Sequence, residues 1–386
     1  MSMFVRLLLF LVAMGGNFTF WVAVINRTHA YGWNRKFVDV LMLICLLAVA
    51  VAAWPLALFA AGTNSVAYLP ALPEWLVQGW GWASVAAAGL MFAHNTWRWL
   101  HPERRGGTGQ VTRMPLDMKV EDSSELLAEG VPQKLGALPG NQVVSPECVE
   151  MELLVPNLPA AFEGLKIVHL SDLHMSGRIK QAYYDTMVDY ANDWQGDLVV
   201  ITGDIVERPC CYDWVEQTLG RLEARDARLF VLGNHDVKAG PDEVRRRLTA
   251  IGFLDVGCRC ERIRIERGTC LIAGNETPWF SPPPLVPPSN GANETLRIAL
   301  LHTPDNFAWA QGNGFHVALA GHNHGGQVRF PIIGALLSPS IYGTRYTAGV
   351  FRSPTTVMHV TPGTGSMSPI RWNCAPELNL ITLRKA

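Results

Sequence analysis

The sequence predicts an α/β domain of about 240 residues carried behind a group of apolar helices. Three observations predict it. Of the 65 Asp, Glu, Lys and Arg residues, only six (Arg6, Arg27, Arg35, Lys36, Asp39 and Glu74) fall in the first 97 positions, so the apolar bias of the chain is concentrated there. Beyond residue 146, short β-rich runs alternate with helical patterns such as QAYYDTMVDYANDW and EVRRRLTAIGF, as strands joined by helical crossovers do. Five of these runs end in clusters of Asp, His or Asn.

Residues 4–25, 38–61 and 75–93 are apolar stretches of 22, 24 and 19 residues. A helix needs ~20 such residues to cross the hydrocarbon layer. Residues 1–97 are therefore read as a transmembrane region with three helices, or as two spans and an interfacial helix. The first stretch is too long for a signal-peptide core, and no small-x-small cleavage site follows before Arg27. Trp21, Trp33, Trp75, Trp80, Trp97 and Trp99 lie near the stretch ends, where indole rings favour the headgroup region. Arg27, Arg35 and Lys36 follow the first stretch, residues 62–74 carry no Lys or Arg, and Arg98, Arg104, Arg105 and Arg113 follow the third. The positive-inside rule then predicts a multi-pass protein of the cell (inner) membrane, with its C-terminal domain in the cytoplasm. Cys45 falls in an apolar stretch and the other seven cysteines, an odd number without a pairing frame, suit a reducing compartment; Cys258-x-Cys260 reads as two ordinary thiols.

Residues 98–146 are rich in Gly, Pro and charge and read as a linker with a short acidic helix around 121–129. MELLVPNLP after it reads as an edge strand, and the Pro-rich run at 281–290 as an extended surface loop. The third segment, 147–386, carries the chemistry. LKIVHL leads into Asp172 and His174, DLVVIT into Asp204 and Glu207, and RLFVL into Asn234 and His235. RIALL precedes His302, and HVALA precedes His322 and His324. Loops beyond strand ends gather at one edge of such a sheet, where ligands bind. Asp172, His174, Asp204, Asn234, His302, His322 and His324 are thus predicted to meet, offering imidazole nitrogens, carboxylates and an amide oxygen. Such donors suit Mn, Fe or Zn, and there are enough for two divalent ions with a carboxylate able to bridge. A closely spaced ion pair is an arrangement used to hydrolyse phosphate esters.

D-x-H, GD-x-x-(D/E), GNHD, a lone His and GHxHGGQ, in that order, resemble the calcineurin-like metallophosphoesterases. The GHxHGGQ form and the ending TPGTGSMSPIRWNCAPELNLITLR are most similar to the membrane-associated branch of YaeI/YkuE-type phosphodiesterases and UDP-2,3-diacylglucosamine hydrolases. The likeness covers residues 148–385. It implies a four-layer sandwich of two mixed β-sheets flanked by helices. It implies one metal held by Asp172, His174 and His324, a second by Asn234, His302 and His322, and Asp204 bridging. It casts His235 as the acid that protonates the leaving oxygen, or as a hydrogen-bonding neighbour of the ligands only. Glu207 stands where the family commonly carries the Asp that orients this histidine, and its extra methylene leaves that role open. Asn323 should point away from the metals. Arg208 stands where some relatives place a phosphate-contacting arginine; with Pro209 at once after it, a solvated side chain is the other reading.

The implied activity is a membrane-anchored phosphodiesterase or pyrophosphatase. The resemblance favours UDP-2,3-diacylglucosamine in lipid A biosynthesis, and a lipid- or nucleotide-linked phosphoester suits a site beside a bilayer. Trp279 and Phe280 could line an acyl groove or pack under the Pro-rich loop. A broad-specificity phosphodiesterase and a non-catalytic membrane scaffold are the rival readings. A net charge of −1 argues against a nucleic-acid partner, and the absence of charge near the middle of any span leaves a transport role without support.

Overall fold

The computed structural model describes residues 1–63, 72–100, 106–120, 122–288, 295–331 and 333–386. It divides into two units, Met1–Glu103 and Arg104–Ala386.

The first unit consists of α1 (Met3–Ala30), α2 (Arg35–Ala61) and α3 (Glu74–Leu100). All three are long and apolar enough to cross a membrane. Each runs past the apolar stretch that predicts it, because a helix once nucleated propagates through flanking polar residues at little cost. Gly16 of α1 lies where an added Cβ would overlap the backbone of Ser84 in α3. Small residues at such a crossing let membrane helices approach closely.

The second unit holds two sheets. One has the strand order β1 (Thr108–Pro115), β2 (Glu147–Val155), β15 (Glu377–Lys385), β3 (Lys166–Leu170), β4 (Leu198–Thr202), β5 (Ala227–Val231) and β6 (Leu254–Asp255). The other has the order β13 (Gly349–Arg352), β14 (Val357–Val360), β10 (Val317–Ala320), β9 (Thr295–Leu301), β8 (Gly268–Asn275) and β7 (Cys260–Ile265). A two-stranded hairpin, β11 (Arg329–Phe330) with β12 (Gly334–Ala335), stands apart. Both large sheets mix parallel and antiparallel pairs.

Period-two alternation builds the layers. In β4, Leu198 and Val200 face the core between the sheets, opposite Ile298, Leu300 and Leu319, while Val199 and Ile201 face the helices Gln181–Asp193 and Pro241–Ala250. On the far side, Ala299, Leu301 and Ala318 pack against Phe307 and Ala310 of the helix Phe307–Gly312. The result is helix, sheet, sheet, helix, which is why the central strands read as continuous apolar runs.

Residues 108–144, expected as part of a linker, belong to this unit. β1 pairs antiparallel with β2, and Leu116, Met118, Leu126, Leu127, Val143 and Val144 enter the core. They enter in ones and twos between turns, so no periodicity marks them in the sequence. The expected acidic helix is a single 3-10 turn, Ser123–Leu126; Glu121 and residues 101–105 lie outside the described residues. β2 is not an edge strand either, since β1 and β15 flank it. Arg113 pairs with Glu147 and Glu377 across these strands, so it is a sheet residue and no longer counts towards membrane orientation. Residues 281–288 form the expected extended loop, whose last two positions, 289 and 290, lie outside the described residues.

Candidate metal centre

β3, β4 and β5 run parallel in one sheet, β9 and β10 in the other, and the loops leaving their C-terminal ends meet. The backbone there is unusual. Asp172, His174, Asp204, His322 and His324 all have φ between +48° and +69°. Non-glycine residues in this left-handed region cost on the order of 1–3 kcal/mol each, and such strain clusters at functional sites. Cross-bracing between the loops offsets it. The Asp172 and His174 amides donate to the carbonyls of Gly203 and Asp204, and the His322 amide donates to Asp172 Oδ2 at 2.9 Å. Asp236, the last residue of GNHD, accepts from the Ile205, Val206 and Gly233 amides at 2.8–2.9 Å and so ties two loops together.

Gly203 makes a tight turn, with φ of +92°, and an added Cβ would come within 2.6 Å of both the Gly233 nitrogen and His302 Nδ1. Gly203→Ala is expected to lose at least the ~1–3 kcal/mol of backbone strain and to weaken metal binding, because His302 must move. Thermal unfolding with and without added Mn²⁺ checks both effects; an unchanged melting temperature would show that the turn relaxes freely.

All seven predicted donors converge. Around His174 and His324, whose Nε2 atoms are 2.9 Å apart, lie Asp172 Oδ1 at 3.4 Å from His324 Nε2 and Asp204 Oδ2 at 3.5 Å from His174 Nε2. Around His302 Nε2 lie Asn234 Oδ1 at 3.0 Å, His322 Nδ1 at 3.1 Å and Asp204 Oδ1 at 3.4 Å. Donors held at ~2.1 Å from one ion sit about 3.0–3.4 Å from one another at tetrahedral or octahedral angles, so both sets have the spacing a cation imposes. Asp204 is common to both, one oxygen towards each. Two of the remaining ring nitrogens orient their histidines: His302 Nδ1 lies 2.8 Å from the Thr202 carbonyl and His322 Nε2 lies 3.0 Å from that of Pro339. The cluster suits two metal ions by donor chemistry, spacing and burial.

Electrostatics agree. Burial raises Asp172, opposed by His302 and reinforced by Asp204. Burial also works to raise Asp204, but His302 and His235 overcome it and hold this carboxyl well below its ordinary range. His302 keeps its proton against burial, its pKa held up to about 9 chiefly by Asp204. Burial drives His322 and His324 well below the ordinary histidine range, so both present neutral rings with a lone pair for a cation.

Glu207 stands beside His235, with Oε1 3.7 Å from Nδ1, beyond hydrogen-bond distance, and its other oxygen lies 3.4 Å from His174 Nδ1. Burial works to raise this carboxyl, but the two histidines hold it well below the carboxylate range. His235 stands edge-on to His174, with ring centroids 4.6 Å apart, and its amide donates to Asp204 Oδ1 at 2.7 Å. Arg208 is exposed and makes no side-chain hydrogen bond or ion pair with the cluster among the described residues. Asn323 turns away and donates to the Tyr346 carbonyl. Phe280 packs on the helix-side core with Arg245 over its ring, whereas Trp279 lies against His302 and His322, with centroids 5.5 and 4.8 Å away. No metal-binding group among the described residues includes a cysteine, and Cys258 is bonded to Glu276 and the Ser281 carbonyl.

Two arginines escape the sequence reading. Arg178 lies 3.7 Å from Glu207 and donates to the Met367 carbonyl. Arg371 is wholly buried behind His324: Nη2 donates to the Pro362 and Gly365 carbonyls at 2.9 and 2.7 Å and lies 3.4 Å from His324 Nδ1. The only cue was a single charge in the otherwise uncharged run TPGTGSMSPIRWNC.

The family model of the calcineurin-like phosphoesterases matches residues 165–326. The chain is 30% identical over 234 residues to the uncharacterized metallophosphoesterase YkuE of Bacillus subtilis (strain 168), an alignment that covers 59% of this chain and 82% of that protein. It is 26% identical over 223 residues to the phosphodiesterase YaeI of Escherichia coli (strain K12), covering 56% and 82%. A transmembrane protein with metallophosphoesterase domain from Danio rerio is 28% identical over 268 residues, covering 64% of this chain and 59% of that one.

Proposed function

Since the chain belongs to the calcineurin-like phosphoesterase family and is a metal-dependent phosphoester hydrolase, we propose that it works as a dinuclear phosphodiesterase or pyrophosphatase anchored in the inner membrane, facing the cytoplasm. The observation that carries the dinuclear reading is Asp204, whose two oxygens face two separate donor sets. Asp172, His174 and His324 would hold one ion and Asn234, His302 and His322 the other, with Asp204 shared between the two sets. Two bound divalent ions supply Lewis acidity to the phosphoryl group and lower the pKa of the attacking water.

The residues of the chain do the rest. His235, outside both donor sets, holds the proton that passes to the leaving oxygen, and Glu207 orients its ring through Nδ1. Arg178, beside Glu207, is placed to meet phosphoryl charge at the rim. Trp279 forms an apolar wall over the second donor set and narrows what can lie there. Retention of every donor favours an enzyme over a scaffold.

For substrate, the lipid-linked pyrophosphate UDP-2,3-diacylglucosamine fits a hydrolase on the same chain as three membrane-capable helices, since its acyl chains partition into the bilayer and its nucleotide stays in water. Arg27 in the last turn of α1 with Arg35 and Lys36 at the start of α2, and Arg98 near the end of α3 with Arg104 and Arg105 beyond it in the sequence, favour the cytoplasmic face. Full-length protein in detergent with Mn²⁺ is expected to release UMP from UDP-2,3-diacylglucosamine. Cleavage of aryl diesters without UMP release would replace this substrate with a broad phosphodiesterase activity; the Escherichia coli relative is named a phosphodiesterase.

A further inference from the structure

Directly after His324 the chain forms the β11–β12 hairpin and returns through residues 336–342. The root of this segment is fixed to the metal centre. The Pro339 carbonyl meets His322 Nε2, Asp305 accepts from Ser340 Oγ and from the Ile341 amide, and Val328 bridges to Trp372. Its outer side is another matter. Phe330 is 47% exposed, Ile333 60%, Leu337 53% and Tyr342 40%, and Trp372 at the base is 43% exposed. Other exposed large apolar side chains of this unit fall singly, as Val237 and Leu285 do, or in twos, as Val111 with Met114 and Val131 with Leu138, whereas four fall between residues 330 and 342. Single exposed apolar residues are ordinary; a cluster marks an interaction surface.

Charge identifies the partner. Residues 328–352 carry Arg329, Arg345 and Arg352 and no Asp or Glu. Exposed aliphatic side chains, Tyr and Trp at their margin and basic residues without acids form the composition that a bilayer interface with anionic headgroups selects. Chain connectivity keeps such an interface within reach. α3 ends at Leu100 and β1 begins at Thr108, so only seven residues of sequence join the two.

We propose that this hairpin docks the second unit onto the bilayer crossed by α1, α2 and α3. Phe330, Ile333 and Leu337 lie among the acyl chains and the three arginines against lipid phosphates. Because the hairpin root bonds to His322, docking sets the metal centre at headgroup level, where a lipid-linked phosphoester can be cleaved without leaving the membrane. That purpose rests on the lipid-linked substrate proposed above; the docking itself does not.

The test uses full-length protein in vesicles of phosphatidylcholine and phosphatidylglycerol. A coumarin amino acid replaces Ile333 or, as the control, the exposed Val131, and lipids with nitroxide-labelled acyl chains act as quenchers. Quenching at 333 and not at 131 is expected; none at 333, or equal quenching at both, overturns the docking. Ile333→Asp combined with Leu337→Asp is expected to lower turnover of vesicle-embedded UDP-2,3-diacylglucosamine about tenfold, the scale of one apolar anchor lost from the interface, and to leave hydrolysis of bis(p-nitrophenyl) phosphate unchanged. Equal loss on both substrates also overturns it. Quenching at 333 in a protein that never cleaves the lipid substrate leaves the docking standing and removes the substrate reading alone.

Discussion

Asp204→Asn is expected to remove metal and activity together. The amide matches the carboxylate in shape and can still accept the His235 amide at Oδ1, so the loops keep their fold. What disappears is the negative charge shared by both donor sets. Metal content should fall from close to two ions per chain to one or fewer. Turnover should fall by roughly 10³-fold, since a metal pair contributes several kcal/mol of charge stabilisation and each ~1.4 kcal/mol is a factor of ten. Metal analysis, circular dichroism and diester hydrolysis on the same preparation separate this from misfolding. A folded variant that retains two ions and full activity would sink the bridging role. The unsubstituted protein should show a related pH effect. His302 holds a proton with a pKa of about 9, chiefly through Asp204, and a cation at Nε2 must displace it. Protonation opposes metal binding, so metal loading should weaken as pH falls and strengthen as pH rises towards that value.

The donors were legible in the sequence because each follows a strand buried on both faces. Val199-Val200-Ile201 has no polar position to spare, so the change to Gly203-Asp204 at its end marks a strand terminus bearing chemistry. What the sequence does not display is the backbone that chemistry requires. Asp172, His174, Asp204, His322 and His324, the proposed ligands, all adopt the left-handed φ that is uncommon for any residue but glycine, and the hydrogen bonds that hold them there come from loops far apart in the chain. Arg371 is hidden for the same reason. Its partners are backbone carbonyls and its effect on His324 exists only once residues 362–374 fold around it. The strand at 108–115 was hidden differently: all eight of its residues are exposed, so it carries no apolar signal and is recruited by pairing with β2. The hairpin after His324 carries the apolar run FPIIGALL, and only its exposure in the fold separates it from core.

His235→Ala should act on chemistry alone. The ring belongs to neither of the two donor sets that share Asp204, and its one hydrogen bond to them runs through the backbone amide, which the substitution preserves. Two ions should therefore remain, while kcat falls about 10²–10⁴-fold, the usual contribution of a positioned acid. The leaving group distinguishes an acid from a residue that merely steadies the ligands. An alkoxide or sugar phosphate leaves slowly without a proton, whereas p-nitrophenolate leaves readily as the anion. The loss should accordingly be large on a lipid or nucleotide diester and small on bis(p-nitrophenyl) phosphate. If His235 only supported His174, against which it stacks edge-on, both substrates would suffer alike and metal content would drop with them. Glu207→Gln gives the companion result. The carboxylate that faces Nδ1 of both His235 and His174 loses its charge, so the same leaving-group dependence should appear in weaker form. If Glu207→Gln lowers metal content with no leaving-group dependence, the carboxylate serves His174 and the orienting role fails.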